Sequence, residues 1–127
     1  MDDLERQAYS GIQSLELELI VRDFVAVLND GPTTDLCAFL TEDVIYRASP
    51  RQTVTGRKAL LEMIDDIRST FDEWQTSLID IAVTRDVVLS QQAIRLRLPG
   101  STPQRAMGFA SFRIDGFRIS AWHQLHA

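Results

Sequence analysis

The chain has 127 residues, 45% of them hydrophobic and 24% charged, with a net charge of −5. That is apolar material for one globular domain and too little chain for two. The acidic balance argues against nucleic acid or an anionic membrane surface as the main partner, and no apolar run is long enough to span a bilayer.

Residues 1–13 are polar and read as an N-terminal arm or a helix extension. Ser14 reads as an N-cap, with Glu16 and Glu18 in the first turn where the helix dipole favours acids. Leu17, Ile20, Val21, Phe24, Val25 and Leu28 follow at helical spacing and make one apolar stripe. Asn29, Asp30, Gly31 and Pro32 stop that helix. A short helix capped by Thr33 or Thr34 turns Leu36, Phe39 and Leu40 inward. Residues 44–49 read as a first strand ended by Pro50, and residues 53–55 as a short second strand before Gly56. Leu60, Met63, Ile64, Ile67 and Phe71 mark a third amphipathic helix.

After Asp72 the pattern changes from helical to alternating. Residues 74–83 and 87–98 read as strands joined by a turn at 84–86, with Ile94, Leu96 and Leu98 on one face of the second. A Pro-Gly-Ser-Thr-Pro loop (99–103) leads to strands 105–114 and 117–125, joined by an Asp115-Gly116 turn. Helices come early and long strands run consecutively at the end. Short turns between consecutive strands make an antiparallel meander, and helices segregated to one face of it give an α+β domain. A curved sheet over three helices leaves a central cavity, a common place for a ligand.

The single cysteine, Cys37, allows no internal disulfide and points to a reducing compartment. Asp2, Asp3 and Glu5 make the N-terminus acidic where a secretory signal is basic, so the expected location is cytoplasmic. Twelve arginines stand against one lysine, Lys58, a bias of GC-rich bacterial coding.

Three strings, in order and spacing, resemble the NTF2-like superfamily, in its SnoaL-like, ketosteroid-isomerase-like and limonene-epoxide-hydrolase-like branch. VRDFVAVLNDG (21–31) resembles the isomerase opening. LTEDVIYRASPRQTVTGRKALLEMI (40–64) has the spacing of isomerases and epoxide hydrolases, and FRIDGFRISAWHQ (112–124) resembles the last hairpin of SnoaL-like proteins. The resemblance implies a cone-shaped roll: three helices packed on a curved antiparallel sheet with a central cavity, as one domain over residues 14–127. It also implies a homodimer paired through the outer sheet face. Apolar residues on both faces of one strand, Ile79 and Ile81 against Leu78 and Ala82, agree with a sheet covered on both sides.

The enzymes that this chain resembles depend on acid–base residues it does not keep. The isomerase tyrosine falls on Phe24, its base on Arg47 or Ser49, and its late aspartate on Ala110. The hydrolase arginine falls on Gln92, its two aspartates on Ile94 and Gln124, and its asparagine on Ala48; its tyrosine is kept as Tyr46. A glutamine has no useful proton affinity near pH 7 and cannot replace a carboxylate as general base. The aspartate of SnoaL-type cyclases has no match either.

Trp122, Gln124 and His126 share one face of the last strand, which the resemblance turns toward the cavity: Trp122 to stack on a ligand, Gln124 to hydrogen-bond it, His126 to move a proton. Their plainer reading is core packing and a frayed terminus. Gln92 shares parity with Ile94 and faces inward, where a buried amide needs partners, Gln124 among them. Tyr46 is the other catalytic candidate, as a donor to a carbonyl or epoxide oxygen, and Arg47 a binder of anionic groups. The two should face opposite sides of a regular strand. Asp23, Asp65, Asp66 and Asp80 read as solvated, and His123 and His126 point to opposite faces, so no metal site and no cofactor are expected. The first reading is therefore a module binding a small apolar molecule. The alternatives are a divergent isomerase, cyclase or hydrolase using Tyr46 and His126, and a structural or dimerisation domain without ligand.

Overall fold

A computed structural model describes residues 2–49 and 51–126. Pro50, expected to end the first strand, lies outside the described residues. The first helix, α1 (Asp3–Asp30), starts well before Ser14. Its N-cap is Asp2, whose carboxylate accepts the Glu5 backbone N–H at 2.8 Å, with Asp3 and Glu5 in the first turn. Ser14 therefore lies inside the helix. The apolar stripe could not announce the added turns because it starts to pack on the core at Leu17 and Ile20 and is fully buried only from Val21. Upstream, Leu4, Tyr9, Ile12 and Leu15 are exposed.

The end of α1 is held from two sides. Gly31 donates its N–H to Val27 O at 2.7 Å, and a Cβ there would meet Val27 Cγ1 at 2.7 Å, so any larger residue forces Val27 to shift. No basic residue occupies the last turn of α1. Arg68, on the helix α2 (Arg57–Thr70), supplies that charge from outside: its guanidinium donates to Leu28 O at 2.9 Å and Val27 O at 3.2 Å. The segment between α1 and the sheet, read as a short helix, is a 3₁₀ helix over Thr33–Phe39.

Six strands follow: β1 (Leu40–Ser49), β2 (Gln52–Thr55), β3 (Glu73–Thr84), β4 (Val87–Arg97), β5 (Gln104–Asp115) and β6 (Arg118–His126). They form one open sheet in the order β2-β1-β6-β5-β4-β3. The meander of the last four strands is as expected. The sheet as a whole is mixed, because β1 pairs with β6 in parallel. Sequential strands can pair by hairpins, but β1 meets β6 only after the long return through α2, and that return brings the two strands in the same direction. Val21, Phe24, Leu36, Leu60, Phe112 and Ile119 fill the layer between helices and sheet.

β3 carries a bulge between Leu78 and Asp80: Leu78 pairs with Gln92, and Asp80 with Gln91. The extra residue is Ile79, which is exposed, whereas Leu78 and Ile81 both pack on the core. This corrects the expectation that Ile79 and Ile81 share a face. Leu98, placed inward from alternation, lies past the end of β4 and is exposed. At the free edge of β3, Asn29 acts as a substitute strand. Its Nδ2 donates to Thr76 O at 2.7 Å and its Oδ1 accepts the Thr76 N–H at 2.8 Å. One side-chain amide thus ties the end of α1 to β3 and satisfies both backbone groups of Thr76 on that edge.

The last hairpin is shifted by one residue from the expected Asp115-Gly116 turn. Asp115 pairs with Arg118, and the two loop residues are Gly116 (φ 55°) and Phe117 (φ 66°). Positive φ at both loop positions suits the strand twist, but a bulky L-residue pays about 1–2 kcal/mol for it. Phe117 is 69% exposed and recovers little of that by packing. Phe117→Asn is expected to raise stability by about 1 kcal/mol, read as a higher midpoint in chemical denaturation; a lower midpoint would mean the ring is packed in solution.

Candidate functional site

The inner face of β5 is low. Gln92 on β4 stands opposite Gly108, and Gln124 on β6 stands opposite Ala110. Their backbones are two strand spacings apart, about 10 Å, and the two long amides reach over this saddle and meet. Gln124 Nε2 donates to Gln92 Oε1 at 2.9 Å. A Cβ added at Gly108 would lie 3.1 Å from each of those two atoms and 3.0 Å from Ile94 Cδ1. A glycine within a strand often marks such a close approach.

The bridge belongs to a longer chain of hydrogen bonds whose direction is fixed at both ends. Trp122 Nε1–H can only donate, and it donates to Gln124 Oε1 at 3.0 Å. That turns Gln124 Nε2 toward Gln92 Oε1, and so turns Gln92 Nε2 toward Ser90 Oγ, at 3.0 Å. Ser90 in turn donates to Ala110 O, a pure acceptor, at a long 3.5 Å. Neither amide can be flipped without facing donor against donor. Ser90, Gln92, Gln124 and Trp122 are all buried, so each bond replaces one that water no longer supplies.

Three of these groups, Trp122, Gln124 and Gln92, line a pocket of about 380 Å³. The ends of α1 and α2, the start of β3 and the inner faces of β4, β5 and β6 line it. Its buried lining includes Val25, Ile64, Ile94, Phe112 and Trp122 beside the two glutamines. Asp30, Asp72 and His126 are exposed lining residues and mark the mouth. Asp72 lies 3.3 Å from Arg97, and Glu73, also in the lining, 2.8 Å from Arg95. Both tryptophans of the chain, Trp74 and Trp122, line the pocket.

Of the residues singled out from sequence, Gln92, Ile94, Trp122, Gln124 and His126 come together around the pocket. Phe24 and Ala110 are buried but are not among its lining residues: Phe24 lies edge-on to Trp122 at 5.4 Å, behind the wall. Arg47 is exposed on the other face of β1 from Tyr46. The irregularity in β1 against β2 falls after Arg47, between Arg47 and Ser49, so it leaves these two on opposite faces. Tyr46 turns inward, packs edge-on against Trp122 at 4.7 Å, and also stays out of the pocket lining. Burial pushes its hydroxyl pKa above the ordinary 10, so it remains protonated. The His126 ring stands edge-on to Trp74 at 6.2 Å; although the residue as a whole is exposed at the mouth, partial burial of the ring lowers its pKa from 6.5, leaving a neutral imidazole at pH 7.

Sequence reasoning missed several lining residues. Asn29, Asp30 and Gly31 were legible only as a helix stop, yet they face the pocket. Arg68, Phe71, Asp72, Glu73 and Trp74 line it too, although helical spacing placed only Phe71 on an inward face. Gly108 had a signal, a lone glycine inside an alternating strand. Asp23, Asp65, Asp66 and Asp80 are exposed, as expected. No group of three or more His, Cys, Asp or Glu among the described residues is arranged to hold a metal ion.

The sequence pattern of the SnoaL-like domain family matches residues 21–122. The chain belongs to that family. No curated protein sequence matches this SnoaL-like chain, but solved structures share its fold. A limonene-epoxide-hydrolase-like epoxide hydrolase from Mycobacterium tuberculosis superposes with a TM-score of 0.81 at 16% identity, covering 91% of this chain and 85% of that one. SalBIII, described as an epoxide hydrolase/cyclase-like enzyme in pyran ring formation in the polyether salinomycin, gives 0.80 at 15% identity, with 89% and 92% covered. A putative SnoaL-like polyketide cyclase from Shewanella denitrificans gives 0.79 at 10% identity, with 87% and 90% covered. At these identities the likeness is one of fold, and the SnoaL-like chain's function has to be argued from its own pocket.

Proposed function

We propose that this SnoaL-like domain binds one small, mostly apolar, uncharged molecule in the pocket and holds it without acid–base chemistry. The observation that carries the reading is the inner wall, where the Trp122 indole and two amides hydrogen-bond in one fixed direction, backed by the Ser90 hydroxyl behind them. Asp30, Asp72 and Glu73 are the carboxylates of the described lining; Asp30 and Asp72 are at the mouth, and Asp72 and Glu73 pair with arginines. Because both tryptophans line the pocket, intrinsic fluorescence reports on it directly. Titration with neutral bicyclic and tricyclic compounds is expected to shift or quench the emission saturably; emission unmoved by every compound would refute the reading.

His126 gives a second reading a specific basis, since a neutral imidazole at the mouth can accept a proton from a substrate. In that case Tyr46 acts only through Trp122, because its hydroxyl lies outside the lining. Unchanged turnover in a His126→Ala variant would remove this reading. The imidazole also sets a pH dependence. Its folded pKa is depressed, so at pH above 6.5 folded and unfolded states are both neutral and nothing is lost. As pH falls from 6.5 through the folded value, the unfolded state takes the proton first and stability declines. His126→Ala is expected to flatten that part of the stability profile; an unchanged slope below pH 6.5 would place its origin elsewhere.

The domain is also proposed to dimerise through the outer face of the sheet. Leu89, Met107, Phe109 and Leu125 are exposed there, and Phe109 and Leu125 are direct cross-strand partners. A Phe109→Glu variant is expected to run as a monomer in light scattering at micromolar concentration while the parent runs as a dimer. A monomeric parent would reject the proposal. No helix among the described residues is long and apolar enough to cross a membrane; a cytoplasmic location is proposed from the lone free cysteine.

A further inference from the structure

The hydrogen-bond chain across β5 leaves a defined remainder. Each glutamine amide has two N–H groups and two acceptor lone pairs. In Gln124, one N–H goes to Gln92 and one lone pair to Trp122; in Gln92, one N–H goes to Ser90 and one lone pair to Gln124. Each therefore keeps one spare N–H, and the two amides are joined at 2.9 Å. Gln92 and Gln124 are 2% and 4% exposed and both line the pocket. A buried N–H without a partner costs more than a carbonyl short of its second bond, so the unmet demand of the wall is for an acceptor.

We infer that the ligand is anchored by an uncharged carbonyl oxygen seated between the spare N–H groups of Gln92 and Gln124. The inference rests on the proposed binding function of the pocket and adds the ligand's chemical class. A carbonyl oxygen has two in-plane lone pairs and can accept from two neighbouring donors at once. A carboxylate in the same place is an unpaired buried charge. The nearby cations are committed elsewhere: Arg68 to Leu28 O, Val27 O and Thr33 Oγ1, Arg95 to Glu73 and Arg97 to Asp72. An ammonium group brings donors to donors. A bare hydrocarbon fills the apolar volume beside Ile94 and Phe112 and leaves both N–H groups unmet.

The test uses three compounds of one shape on the unmodified protein: 1-tetralone, tetralin and protonated 1-aminotetralin. Affinities come from calorimetry, and the side-chain NH₂ resonances of Gln92 and Gln124 are followed by ¹⁵N NMR. The ketone is expected to bind about tenfold tighter than tetralin, the outcome of two neutral hydrogen bonds of ordinary net strength, with the amine weakest and both NH₂ resonances moving only with the ketone. Equal affinity for ketone and hydrocarbon, or unmoved glutamine resonances, overturns the anchor while leaving the pocket a binding site. Tightest binding of the amine overturns it in favour of the acids at the mouth. Failure of all three to bind removes the binding function and the anchor with it.

Discussion

Gly108→Val is expected to destabilise the domain by about 3 kcal/mol, against the sign that strand propensity gives. Valine is a better strand residue than glycine by up to about 1 kcal/mol, and in an ordinary strand this change helps. Here the new Cβ falls 3.0–3.1 Å from Ile94 Cδ1, Gln124 Nε2 and Gln92 Oε1. The isoleucine end can move. The two amide atoms cannot give way without lengthening their mutual bond, and that bond's partners are fixed by Trp122 on one side and Ser90 on the other. Overpacking contributes about 1–3 kcal/mol and each stranded polar group about 1–3 kcal/mol. Denaturant unfolding of Gly108→Ala and Gly108→Val should show a graded loss. A more stable valine variant would mean that the amides do not meet over this residue in solution.

A double-mutant cycle on Gln92 and Gln124 carries the second large effect. Gln124→Leu leaves the Trp122 indole N–H and Gln92 Oε1 without partners in a buried wall, and should cost about 2–4 kcal/mol. Gln92→Leu strands a Gln124 N–H and should cost about 1–3 kcal/mol. The double variant has no amide left to strand and should cost less than the sum of the two, by about 1–2 kcal/mol. Strict additivity would show that the amides are satisfied independently, by water or by other groups.

Much of the fold was legible because two hydrophobic periods alternate cleanly along the chain. The stripe from Leu17 to Leu28 and the strands after Asp72 state their structure in residue spacing alone. What spacing could not carry was anything set by an interaction across the fold. The parallel pairing of β1 with β6 depends on a contact between the two ends of the domain. The bulge at Ile79 inserts one residue into an alternation that otherwise looks unbroken. The start of α1 rests on one carboxylate, Asp2, and on turns whose apolar residues Leu4, Ile12 and Leu15 are exposed rather than packed into the core.

The pocket divides in the same way. Gln92, Ile94, Trp122 and Gln124 could be placed on inward faces by parity, and the contact between the two glutamines follows from their facing small residues on β5. The mouth could not be read, because Asn29, Asp30, Arg68 and Asp72 lie at element ends, where no period operates. Tyr46 shows how residue type and placement can diverge. Its residue type and position resemble the epoxide hydrolases, yet its ring is spent on packing against Trp122.

The most direct test of the account is native mass spectrometry of the protein purified from its own host, followed by denaturation to release what it carries. One neutral, largely apolar, carbonyl-bearing molecule per chain is expected, and it is expected to be lost from the Gly108→Val variant purified from the same host in the same way. An empty protein whose tryptophan emission also ignores added ligands, or a bound molecule that is charged and survives Gly108→Val, would contradict it.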